Sequence, residues 1–498
     1  MRNYNCVFIF NLFVFNFLNQ IYFIMGFNLN IFNSNSNKKL SSNFDSFINK
    51  SPSWDTIDSL VRENENTRER EIYDNELLGR GPANHRTNIR LFDAPDNTKP
   101  EIILFRDTAA WCPYCFKVWL YLEEKRIPYE IKKSPLRCYG KKTAEHLNVN
   151  PSGMLPVAII QGQVISESNL IIETIEKNFT SKDKGYKPML PSIDSTGGQR
   201  SRVNALLQLE RRAFGSWFSW LTAYDRHESR KIEMESILKQ IDNELSNGSP
   251  GPYFLGNDIS IVDIMFTPFL ERMVASLPFY KGFTVRDERF PALLKWFEAM
   301  DSRKDTYAAI KSDYYTHNMD LPPQIGRCNS VPDAEGYAYE INNFIPIEER
   351  NYIIEPMLPI NTQEAQRDAA RRAICNNEKL IKFACRGSRI KRDGRGIRAV
   401  SAPLADPNAE SDEWLLPAVD AALRNVLFLM LTNSNLNTNS NTNSNANVEV
   451  IQKLPLCEET EEVKECLLYL RDRIGVPRDM SVHAAQQLRQ SIYQYIAN

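Results

Sequence analysis

Cys112 and Cys115, in the stretch AAWCPYCFKVWLYLEEKRIPYEI (residues 109–131), are the residues whose type and spacing point to chemistry. Two thiols two residues apart admit three readings: a redox or thiol-transfer pair, half of a metal site, or apolar core. A structural metal site takes a second ligand pair, and the nine cysteines and five histidines of this chain include no other C-x-x-C. The metal reading is the weak one. The thiolate is the nucleophile, and a helix N-terminus favours it through unsatisfied N–H groups and the macrodipole. Cys112 stands where an extended run gives way to a helical one, and Cys115 lies one turn further in, where a resolving thiol belongs.

The elements that must position this pair read as β-α-β-(α)-β-β-α over about 80 residues. EIILFRD (101–107) is an apolar run of strand length. After it Val118, Trp119, Leu122 and Ile127 recur at helical spacing, with Pro113 in the first turn, where proline is tolerated. PYEIKK (128–133) is a second strand, GKKTAEHLNVN a short helix or loop, and PVAIIQGQVIS (156–166) a hairpin about Gln161-Gly162. SNLIIETIEKNF (168–179) is an amphipathic helix with Ser168 as its N-cap. Four amphipathic helical stretches follow, at 199–221, 232–245, 253–273 and 290–303; the third opens on Ser260-Ile261-Val262-Asp263, a variant capping box with Asp for the usual Glu or Gln.

A chain of 498 residues has room for two or three domains. Its 60 basic and 62 acidic residues balance to −2, which gives no argument for a nucleic-acid partner. The leader is apolar over 5–25 but interrupted by Asn11, Asn16, Asn19 and Gln20, a poor membrane span and a better signal-peptide core. Residues 26–44 are Ser- and Asn-rich with no acid, as in an organelle transit segment. Together, 1–44 reads as a bipartite address outside the fold, unless Met25 is the true start. Residues 45–97, with the charge run RENENTRERE (62–71), read as linker. The tail, 327–498, reads as mostly helical. It holds a basic loop (385–398), better explained as solvated than as a phosphate contact, and an apolar helix (414–432). A low-complexity insert (433–447) buries too little to order. A helix over 463–480 ends at Gly475, and a last amphipathic helix runs to Ile496.

The element order, CPYC at the first strand-to-helix turn and proline opening the third strand resemble the thioredoxin-like domain of glutathione transferases, and the helices after it resemble the second domain of that superfamily. The resemblance covers roughly 100–320. It implies an α/β plus all-α fold: a thioredoxin-like domain with a mixed four-stranded sheet at 98–180, an all-helical domain at 195–326 and a mostly helical extension at 327–498. CPYC joined to LRCYG (136–140), PSGMLP (151–156) and SDYYTH (312–317) is similar to the iota class of photosynthetic organisms. So are KFACRG (382–387), ADP (405–407) and YLRDRIGVPRDMS (469–481) in the tail. That class implies a plastid destination, or the cytoplasm if the leader is a mis-called start.

The resemblance implies glutathione as cosubstrate, with no metal, and a small thiol or disulfide acceptor. It leaves protein disulfides as acceptors and a homodimer open. A cysteine in place of the Ser or Tyr of other members implies a mixed disulfide with glutathione, hence thiol–disulfide exchange rather than conjugation. Carried over, Cys112 is the nucleophile and Cys115 its partner. Leu155, before a cis Pro156, offers its backbone to the tripeptide, and Glu167 and Ser168 meet the γ-glutamyl group at a helix N-terminus. Many relatives carry a lysine two residues before that proline; here it is Met154 beside Gly153, so the glycyl carboxylate lacks its usual partner and Lys133 is the residue offered in its place. Phe214, Trp217 and Tyr224 are offered for the acceptor pocket. Against the enzyme, a transferase or glutathione-dependent oxidoreductase, stands a non-catalytic carrier whose tail docks a partner protein.

Overall fold

The computed structural model describes residues 38–179, 186–191, 198–247, 250–345, 349–352, 362–392, 409–432 and 451–497. Three helices open it: α1 (Ser42–Lys50), α2 (Trp54–Asn64) and α3 (Thr67–Leu77). Strand β1 (Ile89–Arg90) follows, then β2 (Ile102–Asp107), helix α4 (Pro113–Lys125), β3 (Tyr129–Ser134), α5 (Ala144–Val149), β4 (Val157–Ile160), β5 (Gln163–Ser166) and α6 (Ser168–Asn178). The sheet order is β1-β3-β2-β4-β5, with β2 and β3 parallel and the other pairs antiparallel. The sheet is mixed as expected, but it has five strands rather than four. The extra one is two residues long, too short to leave a periodic signature, and its Arg90 pairs in the interior with Glu123 of α4 at 2.8 Å.

The four helical stretches form α7 (Gly198–Thr222), α8 (His227–Ser246), α9 (Ile261–Lys281) and α10 (Pro291–Asp301), followed by α11 (Tyr307–Ile310), α12 (Tyr314–Ile325) and α13 (Glu335–Asn342). Helix α9 starts at the expected capping box but runs eight residues beyond 273, through Pro268 and Pro278, and is buried along its whole length. Its capping box is real. Asp263 Oδ2 accepts from Ser260 N at 2.9 Å, while Oδ1 accepts from the Trp296 indole at 2.9 Å, so the cap also pins α10.

The tail forms α14 (Thr362–Cys375), α15 (Asn377–Ala384), α16 (Arg386–Arg392), α17 (Leu416–Thr432), α18 (Glu459–Arg471) and α19 (Val482–Ala497) around a second apolar core. The stretch Glu413–Thr432 is long and apolar enough to cross a membrane, yet 67% of it is buried inside this core. Helix α18 stops at Arg471, four residues before Gly475, and Ile474, Gly475 and Val476 turn inward.

Three sequence expectations need correction. The segment 45–97 is not a linker: Phe47, Ile57 and Val61 enter the tail core, and Phe44, at the end of the expected leader, is fully buried there. Three of its acids pair with the tail, while Arg62, Glu63, Arg68 and Arg70 of the charge run stay exposed. Glu69 meets Arg367, Glu65 meets Arg371 and Glu76 meets Arg372 (at 2.9 Å), all three arginines on α14. The described part of the basic loop is helix α16, where a Cβ on Gly387 would fall 2.4 Å from the Glu465 carbonyl of α18. Residues 1–37, the insert 433–447, the remainder of the basic loop and 405–407 lie outside the described residues.

Candidate functional site

Helix α4 is built to present one sulfur at its N-terminus. Pro113 occupies the first turn, and Cys112 is the N-cap in extended conformation, its Sγ accepting from the Cys115 N–H at 3.4 Å. The Cys112 sulfur thus takes the place of an N-cap side-chain acceptor on the first turn of the helix. Cys115 is fully buried, and burial, with Cys112 and Asp107 beside it, pushes its thiol well up. Asp107 closes the group: its carboxylate and both sulfurs lie within 4.8 Å of one another, and its Oδ1 has no hydrogen-bond partner. That makes three candidate metal ligands, one fewer than a structural zinc site uses.

Trp111, one residue before the pair, is fully buried and held on every side. Its N–H donates to Asp107 Oδ2 at 2.7 Å, and its carbonyl accepts from Arg272 of α9 and from Gln324 Nε2 of α12 at 3.2 Å. Its indole N–H donates to the Val476 carbonyl of the tail at 2.9 Å. Tyr139 packs edge-on to the ring with centroids 5.2 Å apart, and Arg478 stacks over it at 5.0 Å.

The other expected site residues gather around this turn in part. The Leu155–Pro156 peptide is cis, and the described hydrogen bonds leave the Leu155 main chain unused. Glu167, not Ser168, is the N-cap of α6, at φ 72°, an uncommon conformation for a non-glycine residue. Its carboxylate is exposed, while Ser168 is buried as the first helical residue. Lys133 points elsewhere, donating to the His85 carbonyl at 2.8 Å. Trp217 is a core residue, 1% exposed, with its indole on Ser276 Oγ at 2.9 Å. Tyr224 lies beyond the end of α7, 78% exposed beneath Arg327. Phe214 alone of that trio borders the site, in edge contact with Phe269 (5.0 Å), which in turn meets Tyr114 of the CPYC motif (5.9 Å).

Two lysines that sequence reasoning passed over stand here. Lys142 donates to the Pro135 carbonyl at 2.5 Å and lies against Gly153. Burial lowers its ammonium while Cys115, Cys112 and Asp107 act the other way. Lys117, two residues beyond Cys115 on α4, bonds Asn169; burial brings its pKa down to about 8, opposed chiefly by Glu210 and also by Cys112 and Glu167. Spacing offered no signal for either lysine, since only i, i+3 and i, i+4 positions are neighbours on a helix. A cavity of about 420 Å³ lies behind the tail turn, lined among others by His85, Lys304, Arg371, Pro477 and His483, and neither cysteine of the pair lines it.

Residues 111–178 match the family model described as glutathione S-transferase, N-terminal domain, and residues 205–299 that described as glutathione S-transferase, C-terminal domain. Glutathione S-transferase U27 of Arabidopsis thaliana is 31% identical over 189 residues, covering 36% of this chain and 76% of the relative. Glutathione S-transferase DHAR2 of the same plant is 25% identical over 198 residues, covering 40% of this chain and 83% of the relative. The solved glutathione transferase Omega 3C from Trametes versicolor superposes on 49% of this chain and 92% of its own, with 22% identity and a TM-score of 0.36. Neither family model reaches the first three helices or the tail.

Proposed function

The chain belongs to the glutathione S-transferase family, whose enzymes take glutathione as cosubstrate, and from that premise we propose that it is a thioltransferase acting through the Cys112 thiolate. The observation that carries this is the N-capping Cys112 Sγ on the Cys115 N–H, with Cys115 itself held protonated by burial. The thiolate attacks the glutathionyl sulfur of a mixed disulfide. A Cys112–glutathione disulfide forms, the old S–S bond breaks, and the substrate thiolate leaves and takes a proton. A second glutathione thiolate attacks the adduct, releasing oxidised glutathione and restoring Cys112. Dehydroascorbate is a further acceptor of the same two electrons and two protons.

In this reading the Leu155 main chain pairs with the cysteinyl unit of glutathione and Glu167 takes its α-amino group. Ser168 with the α6 N-terminus receives the γ-glutamyl carboxylate. Lys142, beside Gly153 and within electrostatic reach of Cys112, replaces Lys133 as the partner of the glycyl carboxylate. The acceptor side is the aromatic face of Tyr114, Phe214 and Phe269, beneath Arg211. We further propose membership of the iota class, a plastid location and a homodimeric assembly.

Incubation with oxidised glutathione followed by intact-mass measurement tests the assignment. The expected result is one adduct of glutathione, absent in Cys112→Ser. No adduct on the wild-type protein leaves the carrier reading in its place.

A further inference from the structure

The tail turn Gly475–Asp479 touches the residue that precedes the nucleophile, and nothing in the proposed reaction uses it. Both main-chain groups of Val476 are engaged: its N–H donates to Thr316 Oγ1 at 3.2 Å, and its carbonyl accepts from the Trp111 indole at 2.9 Å and Ser312 Oγ at 2.6 Å. Tyr315 donates to the Asp472 carbonyl at 2.9 Å, and Arg489 joins Asp313 and the Ile474 carbonyl. The segments SDYYTH and YLRDRIGVPRDMS thus meet each other, and they meet on Trp111. Gly475 is the point of closest approach: a Cβ there would fall 2.5 Å from Trp111 Cζ2, the edge of a rigid and enclosed ring.

We infer that the turn Gly475–Asp479 is a positioning element of the catalytic centre, acting on Cys112 through the Trp111 ring; this rests on the thioltransferase reading. The peptide joining Trp111 to Cys112 leads directly into the N-cap. The Cys112 sulfur keeps its place over the Cys115 N–H only while Trp111 stays put. Asp107, Arg272 and Gln324 fix the Trp111 main chain, and the tail fixes its side chain. Displacements of about 1 Å at a reacting group cost up to ~100-fold in rate, so a ring pushed aside is felt at the sulfur.

The test uses the full chain with Gly475→Ala, Trp111→Phe, and both together, reading the iodoacetamide alkylation rate at Cys112, kcat, and KM for glutathione. Gly475→Ala is expected to lower alkylation and kcat about tenfold with KM unchanged, because the glutathione-facing segment 153–168 is not touched. In the Trp111→Phe background the clashing ring carbon is gone, and the added alanine is expected to change either rate less than about twofold. Gly475→Ala at the wild-type rate, or a loss of equal size in both backgrounds, overturns the inference. Should Gly475→Ala not fold, Arg478→Ala removes the stacked guanidinium without adding an atom. It is expected to slow alkylation several-fold, and the wild-type rate overturns the inference equally. A wild-type protein that takes no glutathione adduct sinks the thioltransferase reading and this inference with it. Adduct formation at full speed in Gly475→Ala sinks the inference alone.

Discussion

Cys112 and Cys115 stand one turn apart on one helix, and their surroundings set them to different tasks. Cys112 caps the helix; Cys115 is fully buried, and its thiol is held protonated. Cys115→Ser is therefore expected to keep turnover of small glutathionylated substrates, since a second glutathione completes the cycle, and to lose mainly the reduction of protein disulfides. Cys112→Ser is expected to lose nearly all activity. Steady-state reduction of a glutathionyl mixed disulfide by both variants decides it, and an active Cys112→Ser beside a dead Cys115→Ser reverses the roles. A hydrogen bond to a charged group contributes about 1.5–3 kcal/mol, so Lys142→Ala is expected to raise KM for glutathione about tenfold or more. Lys133→Ala serves as the control: both lysines donate to a carbonyl, but only Lys142 also lies within electrostatic reach of the cysteine pair. Equal KM in the two variants removes Lys142 from the glycyl site.

The helices and strands flanking the pair carry a titration of their own. Asp320 on α12 accepts from Tyr139, which packs on Trp111, and from Gln324; burial raises its pKa to about 7. An unfolded aspartate titrates near ~3.9, so the folded chain holds this proton more tightly. Its contribution to stability is present below about pH 4 and is lost as the pH rises through about 7. Tm is expected to fall between pH 5 and pH 8 in the wild type and to fall less in Asp320→Asn; parallel curves show that this carboxyl does not titrate there. These elements also mark how far the sequence could be read. Strands β2 to β5 and helices α4 and α6 to α10 announce themselves because their apolar period is local. Strand β1 has two residues and no period, and α9 runs on through two prolines because packing on all sides outweighs their breaking tendency. The aromatic stripe of α7 gave period but not depth, so it did not separate Phe214, at the site, from Trp217, in the core. The cage around Trp111 joins residues 365 apart in sequence, and no local pattern announces such a contact.

Two apolar cores make up the described molecule, and the second is shared between its two ends. Helices α1 to α3 pack on the tail rather than standing off as a linker. Phe44, Phe47, Ile57 and Val61 are 0–5% exposed in that core, and Glu65, Glu69 and Glu76 hold the α14 arginines. Removing residues 1–94 deletes all of them, together with Arg90 from its interior pair with Glu123. Each large apolar side chain lost from a core forfeits about 1.5–3 kcal/mol. The four together forfeit roughly 6–12 kcal/mol, comparable to the whole stability of a typical domain. A chain beginning at residue 95 is therefore expected to lose the cooperative melting of its tail, although it keeps every residue proposed to touch glutathione. If the tail turn holds Trp111, that same chain also loses most of its thiol reactivity, which separates a packing effect from a missing ligand. Thermal melting and Cys112 alkylation, measured on the shortened and full-length chains side by side, provide the check. Equal melting and equal alkylation would return the first helices to the status of a linker and leave the thioredoxin-like and all-helical domains as the complete catalytic unit.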